Sequence, residues 1–455
     1  MEVLKNGSID NNIPIFIINL KRRTDRKESI LKEFSSRNEF SLTIVEANEH
    51  TFGALGLWNT IRYILQNMVN EKDEFIIFCE DDLQFTRHYS KKYLLSSIAK
   101  AQKRNADILL GGVSWFASAI QIAKNLFWVE NFSGLQFTII FKKFFKEILD
   151  ASMENFEAAD YKIASLTDKA MFIYPFISTQ KEFGYSDATP NNNQNGRVTA
   201  LFNWTSDKLK LLRHVKKAYV KKGGLKDIEY ESFENIIIPT YIINLPERTE
   251  RLEHIRNQFV GRKEFDITIV EACKHKIGAY GLWLSIRKVI QMAIDNDDDV
   301  IIICEDDHQF TEHYSKEYLL KNIIEAHEQG ACFLSGGTGR FDHAIPLTEN
   351  RYWVNHCLSA QFVVLYKKFF RQILEEPFNE SVVADLLYSA MTSNKMVLYP
   401  FISTQKDFGY SDVTDIHNKD KGIVARLFSE SDARLSRIQK AYRKYKSPEL
   451  SKSFA

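Results

Sequence analysis

Three consecutive carboxylates end an apolar run at two places in this 455-residue sequence. The two triplets are Glu80, Asp81 and Asp82, and Glu305, Asp306 and Asp307. The runs before them, Phe75–Cys79 and Val300–Cys304, are apolar on both faces and rich in β-branched and aromatic residues, which predicts buried strands. Because a buried, unpaired carboxylate is costly, we expect each triplet at the carboxyl end of its strand, where open α/β sheets bind ligands.

Adjacent carboxylates supply the hard oxygen ligands that Mg²⁺ and Mn²⁺ prefer. Such ions usually keep several waters and take further ligands from substrate phosphate. The alternative interpretation is a solvated acidic turn after a strand. Since the triplet occurs twice in matched surroundings, the sequence favours a metal site in each half of the chain.

Arginines follow the first predicted strand of each half. Arg23 and Arg26, and likewise Arg248 and Arg251, are three residues apart, so in a helix each pair shares one face of the first turn. Arginine near a helix N-terminus opposes the helix dipole unless an anion is bound there. A phosphate group would remove this conflict. The alternative is salt bridging to acidic residues of the same turn.

The two triplets belong to a long internal repeat. Ile13–Leu20 returns as Ile238–Leu245, at an offset of 225 residues (238 − 13 = 225). Tyr174–Lys181 returns at the same offset as Tyr399–Lys406. A period of this length indicates a duplicated domain and not a solenoid, whose repeats span about 20–50 residues.

We therefore predict two domains of one kind, residues 1–222 and 237–455, joined by a linker at 223–236. In each half the pattern predicts a strand, a helix, a second strand, a second helix and then the acidic strand. This β-α-β-α-β order is typical of a mainly parallel sheet. The predicted fold class is α/β, with two tandem Rossmann-like domains.

A single carboxylate lies late in each half, in a segment that is predicted to be helical. These residues are Asp160 and Asp385. A carboxylate on an otherwise apolar helix face is usually a cap or a member of a salt bridge. Its other role is a general base, which takes the proton of a reacting hydroxyl held nearby. The segments beginning at Phe183 and Phe408 are predicted to form a loop across the same site.

Composition argues against several classes of function. The chain has 60 Lys and Arg against 59 Asp and Glu, so it lacks the basic excess of a typical nucleic-acid-binding protein. The start lacks the apolar core of a signal peptide, and no stretch approaches about 18 apolar residues, so we expect a cytoplasmic protein. Basic helices predicted at Leu209–Lys222 and Ala433–Lys446 favour packing, with weak association at the inner membrane face as the alternative.

In the order and spacing of these motifs the sequence resembles glycosyltransferase family 25, which contains lipooligosaccharide and collagen galactosyltransferases. The shared motifs are Ile-Asn-Leu before Arg-x-x-Arg, Gly-x-x-Gly before Ser, Glu-Asp-Asp, a late Asp, and Pro-x-x-x-x-Gln before Ser-Asp. Beside its acidic triplet, the second half matches at Asn244, Leu245, Arg248, Arg251, Gly278, Gly281, Ser285, Asp385, Pro400, Gln405, Ser411 and Asp412. The first half matches at Asn19, Leu20, Arg23 and Arg26 and carries Gln180 in the place of Gln405.

The resemblance implies two tandem GT-A-like domains, Mn²⁺ or Mg²⁺ on the acidic triplets, a UDP-sugar donor with UDP-galactose as the first expectation, and inversion at the anomeric carbon. The donor-binding residues that it implies are Asn19, Arg23, Arg26, Gln180, Asn244, Arg248, Arg251, Ser285 and Gln405. The general base is assigned to Asp160 and Asp385. The acceptor would be a glycan, a lipid-linked glycan such as a lipooligosaccharide, or a protein.

Three functions stay open from the sequence. The first is a metal-dependent inverting glycosyltransferase that uses both domains. In the second, one domain is catalytic and the other is a binding or organising module. Ser285, where the first domain has Thr60, then favours the second domain as the catalytic one. The third is a metal-dependent nucleotide or phosphate-ester enzyme that uses the same metal site.

Overall fold

The computed structural model describes residues 13–155, 157–186, 190–221, 233–358, 360–379, 384–410 and 420–445. The chain separates into two compact units, one of residues 1–215 with 444–455 and the other of residues 216–443. Residues 222–232 lie outside the described residues, so the linker at 223–236 stays a prediction.

In the first half of the chain, the described strands are β1 (Ile13–Asn19), β2 (Phe40–Glu46), β3 (Phe75–Glu80), β4 (Leu83–Phe85), β5 (Ile108–Leu110), β6 (Trp115–Ala123), β7 (Leu126–Ser133), β8 (Phe137–Phe141), β9 (Ala170–Ile173) and β10 (Ser178–Gln180). The helices are α1 (Thr24–Phe34), α2 (Gly53–Asn67), α3 (Lys91–Lys103), α4 (Phe145–Asp150), α5 (Ala159–Ser165) and α6 (Arg197–Lys221), with short 3-10 turns at Lys142–Phe144 and Pro190–Asn193.

In the second half, the described strands are β11 (Ile238–Asn244), β12 (Phe265–Glu271), β13 (Val300–Glu305), β14 (His308–Phe310), β15 (Phe333–Ser335), β16 (Arg340–Pro346), β17 (Arg351–Leu358), β18 (Phe362–Tyr366), β19 (Lys395–Leu398) and β20 (Ser403–Gln405). The helices are α7 (Thr249–Gln258), α8 (Gly278–Asp295), α9 (Lys316–Glu328), α10 (Lys367–Glu375), α11 (Ala384–Met391) and α12 (Ile423–Tyr445).

Each unit is built on an eight-stranded mixed sheet with the same strand order. The order is β2-β1-β3-β8-β5-β9-β7-β6 in the first unit and β12-β11-β13-β18-β15-β19-β17-β16 in the second. β1 pairs in parallel with both β2 and β3, which confirms the predicted β-α-β-α-β opening. β8 then lies antiparallel between β3 and β5, and β7 and β6 extend the sheet beyond β9. The structure therefore confirms an α/β fold with two tandem Rossmann-like domains.

The inner parallel strands β1, β3, β11 and β13 are buried on both faces because helices pack on both sides of the sheet, whereas the edge strands β2 and β12 are largely exposed. In the second unit, Ile242 and Ile302 pack with Ile255 of α7. On the opposite face, Ile301 packs with Ile286 of α8. Successive side chains of a strand point to opposite faces, so a strand covered on both sides needs a continuous apolar run. This explains the two runs that precede the acidic triplets.

Two glycines let a helix begin close to the carboxyl end of the second strand. A Cβ atom on Gly56 would lie 2.3 Å from the carbonyl oxygen of Asn48, and one on Gly281 would lie 2.5 Å from that of Cys273. Neither position has room for a side chain, so glycine is required for this close approach. The packing brings the start of α2 to the edge of the sheet that carries the triplet.

The predicted basic helices correspond to α6 and α12, and both begin earlier than expected. Leu209 and Leu212 of α6 are buried, as are Leu435 and Ile438 of α12. Their apolar side is therefore used in packing, which confirms that part of the prediction. Within the described residues, no helix combines the length and the apolar character needed to cross a membrane.

Candidate functional site

The acidic triplets lie at the carboxyl ends of parallel strands, as the sequence predicts. Glu80 is the last residue of β3, and Glu305 is the last residue of β13. In the first unit the triplet lines a cleft of about 950 Å³, together with Arg23, Arg26 and Asp160. This volume lies within the usual range for small-molecule sites, about 300–1,000 Å³.

The middle carboxylate of the first triplet is buried against two side chains from the start of the chain. Asp81 Oδ2 accepts a hydrogen bond from Asn19 Nδ2 at 2.8 Å, and Oδ1 accepts one from Arg26 Nη1 at 3.1 Å. Arg23 Nη1 lies 3.8 Å from Oδ1. Both oxygens of Asp81 are therefore already bound by protein groups, and the carboxylate holds the arginines in place.

The second unit repeats this network. Asp306 accepts from Asn244 Nδ2 at 3.0 Å and from Arg251 Nη1 at 3.0 Å, and Arg248 Nη1 lies 3.6 Å from its Oδ2. Arg251 Nη1 also lies 3.5 Å from Oδ2 of Asp307. In each unit, an asparagine of the first strand and an arginine of the first helix thus bind the middle carboxylate of the triplet in the same way.

An aromatic loop covers the second arginine of each pair. The guanidinium of Arg26 lies 4.7 Å from the ring centre of Phe183 and 4.5 Å from that of Tyr185, and it donates a hydrogen bond to the carbonyl oxygen of Tyr185. The loop of the second unit encloses Arg251 in the same way. The segment beginning at Phe183 therefore contacts the site, as predicted. Its aromatic rings and a backbone carbonyl enclose the guanidinium of Arg26.

The third carboxylate of the first triplet has one oxygen that no described residue bonds. Asp82 Oδ2 lies 3.4 Å from Gln180 Nε2, whereas Oδ1 is buried and has no hydrogen-bond partner among the described residues. Burial, and then the charge of Asp81, raises the pKa of Asp82 to about 7. The equivalent causes raise the pKa of Asp307, which lies 3.5 Å from Gln405 Nε2, to about 7. A bound cation would stabilise both carboxylates in the charged form.

Glu80 is the second carboxylate that could face a cation. Burial, followed by the charges of Asp82, Asp81 and Asp160, raises the pKa of Glu80 well above its usual range. In the described part of the chain, no group of three or more His, Cys, Asp or Glu side chains is arranged to hold a metal ion. Mg²⁺ sites in nucleotide enzymes commonly use one or two carboxylates, with waters and phosphate oxygens as the other ligands. The carboxylates of Glu80 and Asp82 therefore fit an ion that takes its other ligands from water and from a phosphate of the substrate.

Asp160 lies in the first turn of α5, a helix that the sequence predicts. Its Oδ2 accepts hydrogen bonds from Ser133 Oγ at 2.6 Å and from the backbone N–H of Gly134 at 3.1 Å. Sequence reasoning missed both partners. Asp385 is the second residue of α11, but its side chain lies outside the described residues. Leu358 stands in the place of Ser133 in the second unit, so the same hydroxyl contact is not available there.

Ser285 is fully buried inside the second unit. Its Oγ accepts a hydrogen bond from the backbone N–H of Cys273 at 2.8 Å and donates one to the carbonyl oxygen of Gly281 at 2.7 Å. Thr60 makes the same two contacts in the first unit, at 2.9 and 2.7 Å. The two hydroxyls do the same structural work, so the difference between them does not favour either unit as the catalytic one.

No protein-family model matches the chain, and no curated protein matches it. Among solved structures, A197 from STIV is similar with a TM-score of 0.24 and 13% identity, over 37% of this chain and 83% of that chain. UDP-glucose pyrophosphorylase, in its apo form and complexed with UDP-glucose, is similar with a TM-score of 0.26 and 12% identity. Each match covers 43% of this chain and 82% or 81% of the other. Similarities this weak carry no argument about function, and the resemblance to family 25 stays a prediction.

Proposed function

We propose that this protein is a metal-dependent inverting glycosyltransferase with two GT-A-like domains. It would move a sugar, with galactose as the first expectation, from a UDP-sugar to a glycan, a lipid-linked glycan or a protein. The observation that carries the proposal is the acidic site of each unit. In each site, asparagine and arginine bind the middle aspartate of the triplet. Burial and the charge of that aspartate raise the pKa of the third aspartate.

The residues of each site divide into two groups. Glu80 and Asp82 would hold Mn²⁺ or Mg²⁺ in the first unit, with Glu305 and Asp307 in the second. When bound, the ion neutralises the charge that develops on the diphosphate leaving group. Asp81 orients Arg23, which lines the cleft and would donate to a phosphate oxygen.

Asp160 would serve as the general base of the first unit. The acceptor hydroxyl oxygen forms a bond to the anomeric carbon on the side opposite the diphosphate. The bond from that carbon to the diphosphate oxygen breaks, and the electron pair leaves with the diphosphate. Asp160 takes the hydroxyl proton, since Ser133 and Gly134 hold its carboxylate at the cleft.

The test is replacement of both metal-facing aspartates, Asp82→Asn with Asp307→Asn. UDP release from UDP-sugars is measured with a panel of sugar acceptors, with and without Mn²⁺. We expect at least a ~100-fold loss, about 2.7 kcal/mol of transition-state stabilisation. Asp207→Asn removes an exposed carboxylate of α6 outside the cleft and is the control.

Undiminished sugar transfer by the double variant would overturn the proposal. The competing function is a metal-dependent nucleotide or phosphate-ester enzyme, which uses the same carboxylates on a different bond. Release of phosphate from simple esters, with no sugar transferred to any acceptor, would favour that alternative.

A further inference from the structure

Two exposed aromatic side chains border the cleft of the first unit. Trp115 is the first residue of β6 and is 38% exposed, and Tyr161 of α5 is 49% exposed. Their ring centres are 6.0 Å apart, and the ring planes meet at 81°. Both side chains line the cleft that contains the acidic triplet. We call this pair the aromatic corner.

The aromatic corner is tied to the candidate general base by the fold. Trp115 pairs across the sheet with Ser133, whose hydroxyl donates to Asp160 at 2.6 Å. Tyr161 directly follows Asp160 in α5. A molecule that rests on the aromatic corner therefore lies next to the group that takes a proton in the proposed reaction.

The second unit has no aromatic residue at the two equivalent positions. Arg340 stands in the place of Trp115, and Leu386 stands in the place of Tyr161. Both are exposed. The rest of the strand and helix is retained, since Arg340 pairs with Leu358 as Trp115 pairs with Ser133. The aromatic corner is thus a property of one unit and not of the fold.

We propose that the aromatic corner binds the acceptor, and that the acceptor ends in a pyranose sugar with a continuous face of C–H groups. This inference rests on the proposed transferase function and names the substrate of the same site. The face of an aromatic ring is apolar and carries a partial negative charge, which attracts C–H groups of a sugar ring. The hydroxyls on the edge of that ring stay free to bond with polar groups of the cleft.

The geometry favours the acceptor over the uracil base of a donor. The arginines, which would bind the diphosphate, lie at the start of α1 and contact Asp81 of the triplet, as does Asn19 of β1. The aromatic corner instead adjoins Asp160, which has to reach the acceptor hydroxyl. Binding of UDP should therefore not depend on Trp115 or Tyr161.

The experiment uses the full-length protein with Mn²⁺ and UDP, and methyl β-D-galactopyranoside as the probe. Saturation-transfer NMR reports which C–H groups of the probe touch the protein, and galactitol is the open-chain control without a ring face. The test variant is Trp115→Ala with Tyr161→Ala. Trp115→Phe with Tyr161→Phe keeps aromatic rings and guards against loss of folding. Arg340→Ala with Leu386→Ala is the matched control in the second unit.

We expect saturation to be strongest on the C–H groups of one face of the pyranoside. The saturation transferred to the probe should fall at least about fivefold in the alanine variant, while the phenylalanine and second-unit variants retain it. An unchanged signal in the alanine variant, an equal loss in the second-unit control, or no signal in the wild type would overturn the inference.

Calorimetric titration of UDP into fresh samples of the same proteins, which contain neither UDP nor the probe, separates this inference from the proposed function. Unchanged, Mn²⁺-dependent UDP binding in the alanine variant supports an acceptor site. A matching loss of UDP affinity would assign the corner to the donor base and overturn the inference. If the wild type binds the pyranoside at the corner but does not bind UDP, the sugar site stands and the transferase proposal fails.

Discussion

The two units agree closely around the acidic strand and differ around the candidate base. The asparagine and arginine bonds to the middle aspartate are 2.8 and 3.1 Å in the first unit and 3.0 and 3.0 Å in the second. Burial, and then the charge of the middle aspartate, raises the pKa of the third aspartate to about 7 in both. These agreements indicate that duplication has kept the part of the site that would bind a metal and a diphosphate.

The other side of the cleft has changed. Ser133, which holds Asp160, is replaced by Leu358, and the exposed Trp115 is replaced by Arg340. Under the proposed function this side receives the acceptor. The comparison therefore predicts two units that bind the same donor and differ in what they do with it.

The largest expected effect is on the number of nucleotide sites. Titration of UDP in the presence of Mn²⁺ should give two sites per chain in the wild type. Asp82→Asn and Asp307→Asn should each leave one site, because each removes a carboxylate that is proposed to hold the metal of one unit. Both sites should disappear when Mn²⁺ is removed with a chelator.

A single UDP site in the wild type would contradict this prediction, since the two units would then have similar hydrogen-bond networks but only one of them would bind UDP. The single variants would show which unit is the binding one. Asp207→Asn should leave both sites intact.

The next effect is on stability, at the buried ion pair of each unit. Arg26→Ala removes the guanidinium that is hydrogen-bonded to the buried carboxylate of Asp81 and leaves Arg23, at 3.8 Å, as the cation beside it. It should lower the free energy of unfolding by about 3 kcal/mol. Arg251→Ala should have an equal effect in the second unit. Arg22→Ala, at an exposed pair with Glu49, should cost no more than about 1 kcal/mol.

Urea unfolding followed by circular dichroism measures all three variants. A cost for Arg26→Ala no greater than that for Arg22→Ala would mean that the network is not structural. The arginine would then be free for phosphate, as the sequence alone predicts.

A third difference between the units lies at a buried lysine in the core of the second unit. Lys395 is 4% exposed and donates hydrogen bonds to the carbonyl oxygen and the hydroxyl of Ser389, whereas the first unit has Ala170 and Ala164 at these positions. Burial lowers the pKa of Lys395 to about 8. In the unfolded chain, the lysine side chain has a pKa of about 10.4. Between pH 8 and about 10.4, Lys395 is therefore protonated more often in the unfolded state than in the folded state. The contribution of Lys395 to the free energy of unfolding should therefore rise with pH, by about 2 kcal/mol from pH 8 to 10.

Lys395→Met removes this titration while keeping a side chain of similar length. Urea unfolding of the variant and the wild type at pH 7, 8, 9 and 10 gives the difference, in which all other titrating groups cancel. We expect the variant to be the more stable protein at pH 7 and the advantage to shrink as the pH rises. A difference that does not change with pH would show that Lys395 is not perturbed.

The sequence predicts much of the fold because its signals are local and repeated. The apolar runs before the triplets, the helices after Gly53 and Gly278, and the 225-residue offset are all visible in one dimension. The place of β8 is different. It lies between β3 and β5, antiparallel to both, and that insertion depends on contacts between distant parts of the chain. Hence the parallel opening of the sheet is predictable and its mixed continuation is not.

The site shows the same division. Residue types predict acidic and basic groups, but not that Arg26 is bound to Asp81 and enclosed by Tyr185. Residue types alone therefore predict that the guanidinium of Arg26 binds a ligand, whereas in the fold it binds Asp81. One signal was present in the sequence: the positions where the repeat fails, such as Trp115 against Arg340, mark the side of the cleft that differs.

The smallest expected effect tests the difference between Thr60 and Ser285. Both hydroxyls join the start of a helix to the loop after the second strand. Exchanging them, Thr60→Ser with Ser285→Thr, should change the free energy of unfolding by less than about 0.5 kcal/mol and leave UDP binding unchanged. Thr60→Val keeps the shape but removes the hydroxyl, and leaving the backbone partners unsatisfied should cost about 1–3 kcal/mol. If the exchange instead transferred UDP affinity from one unit to the other, the hydroxyl would act on the donor, and the two units would differ at the metal side after all.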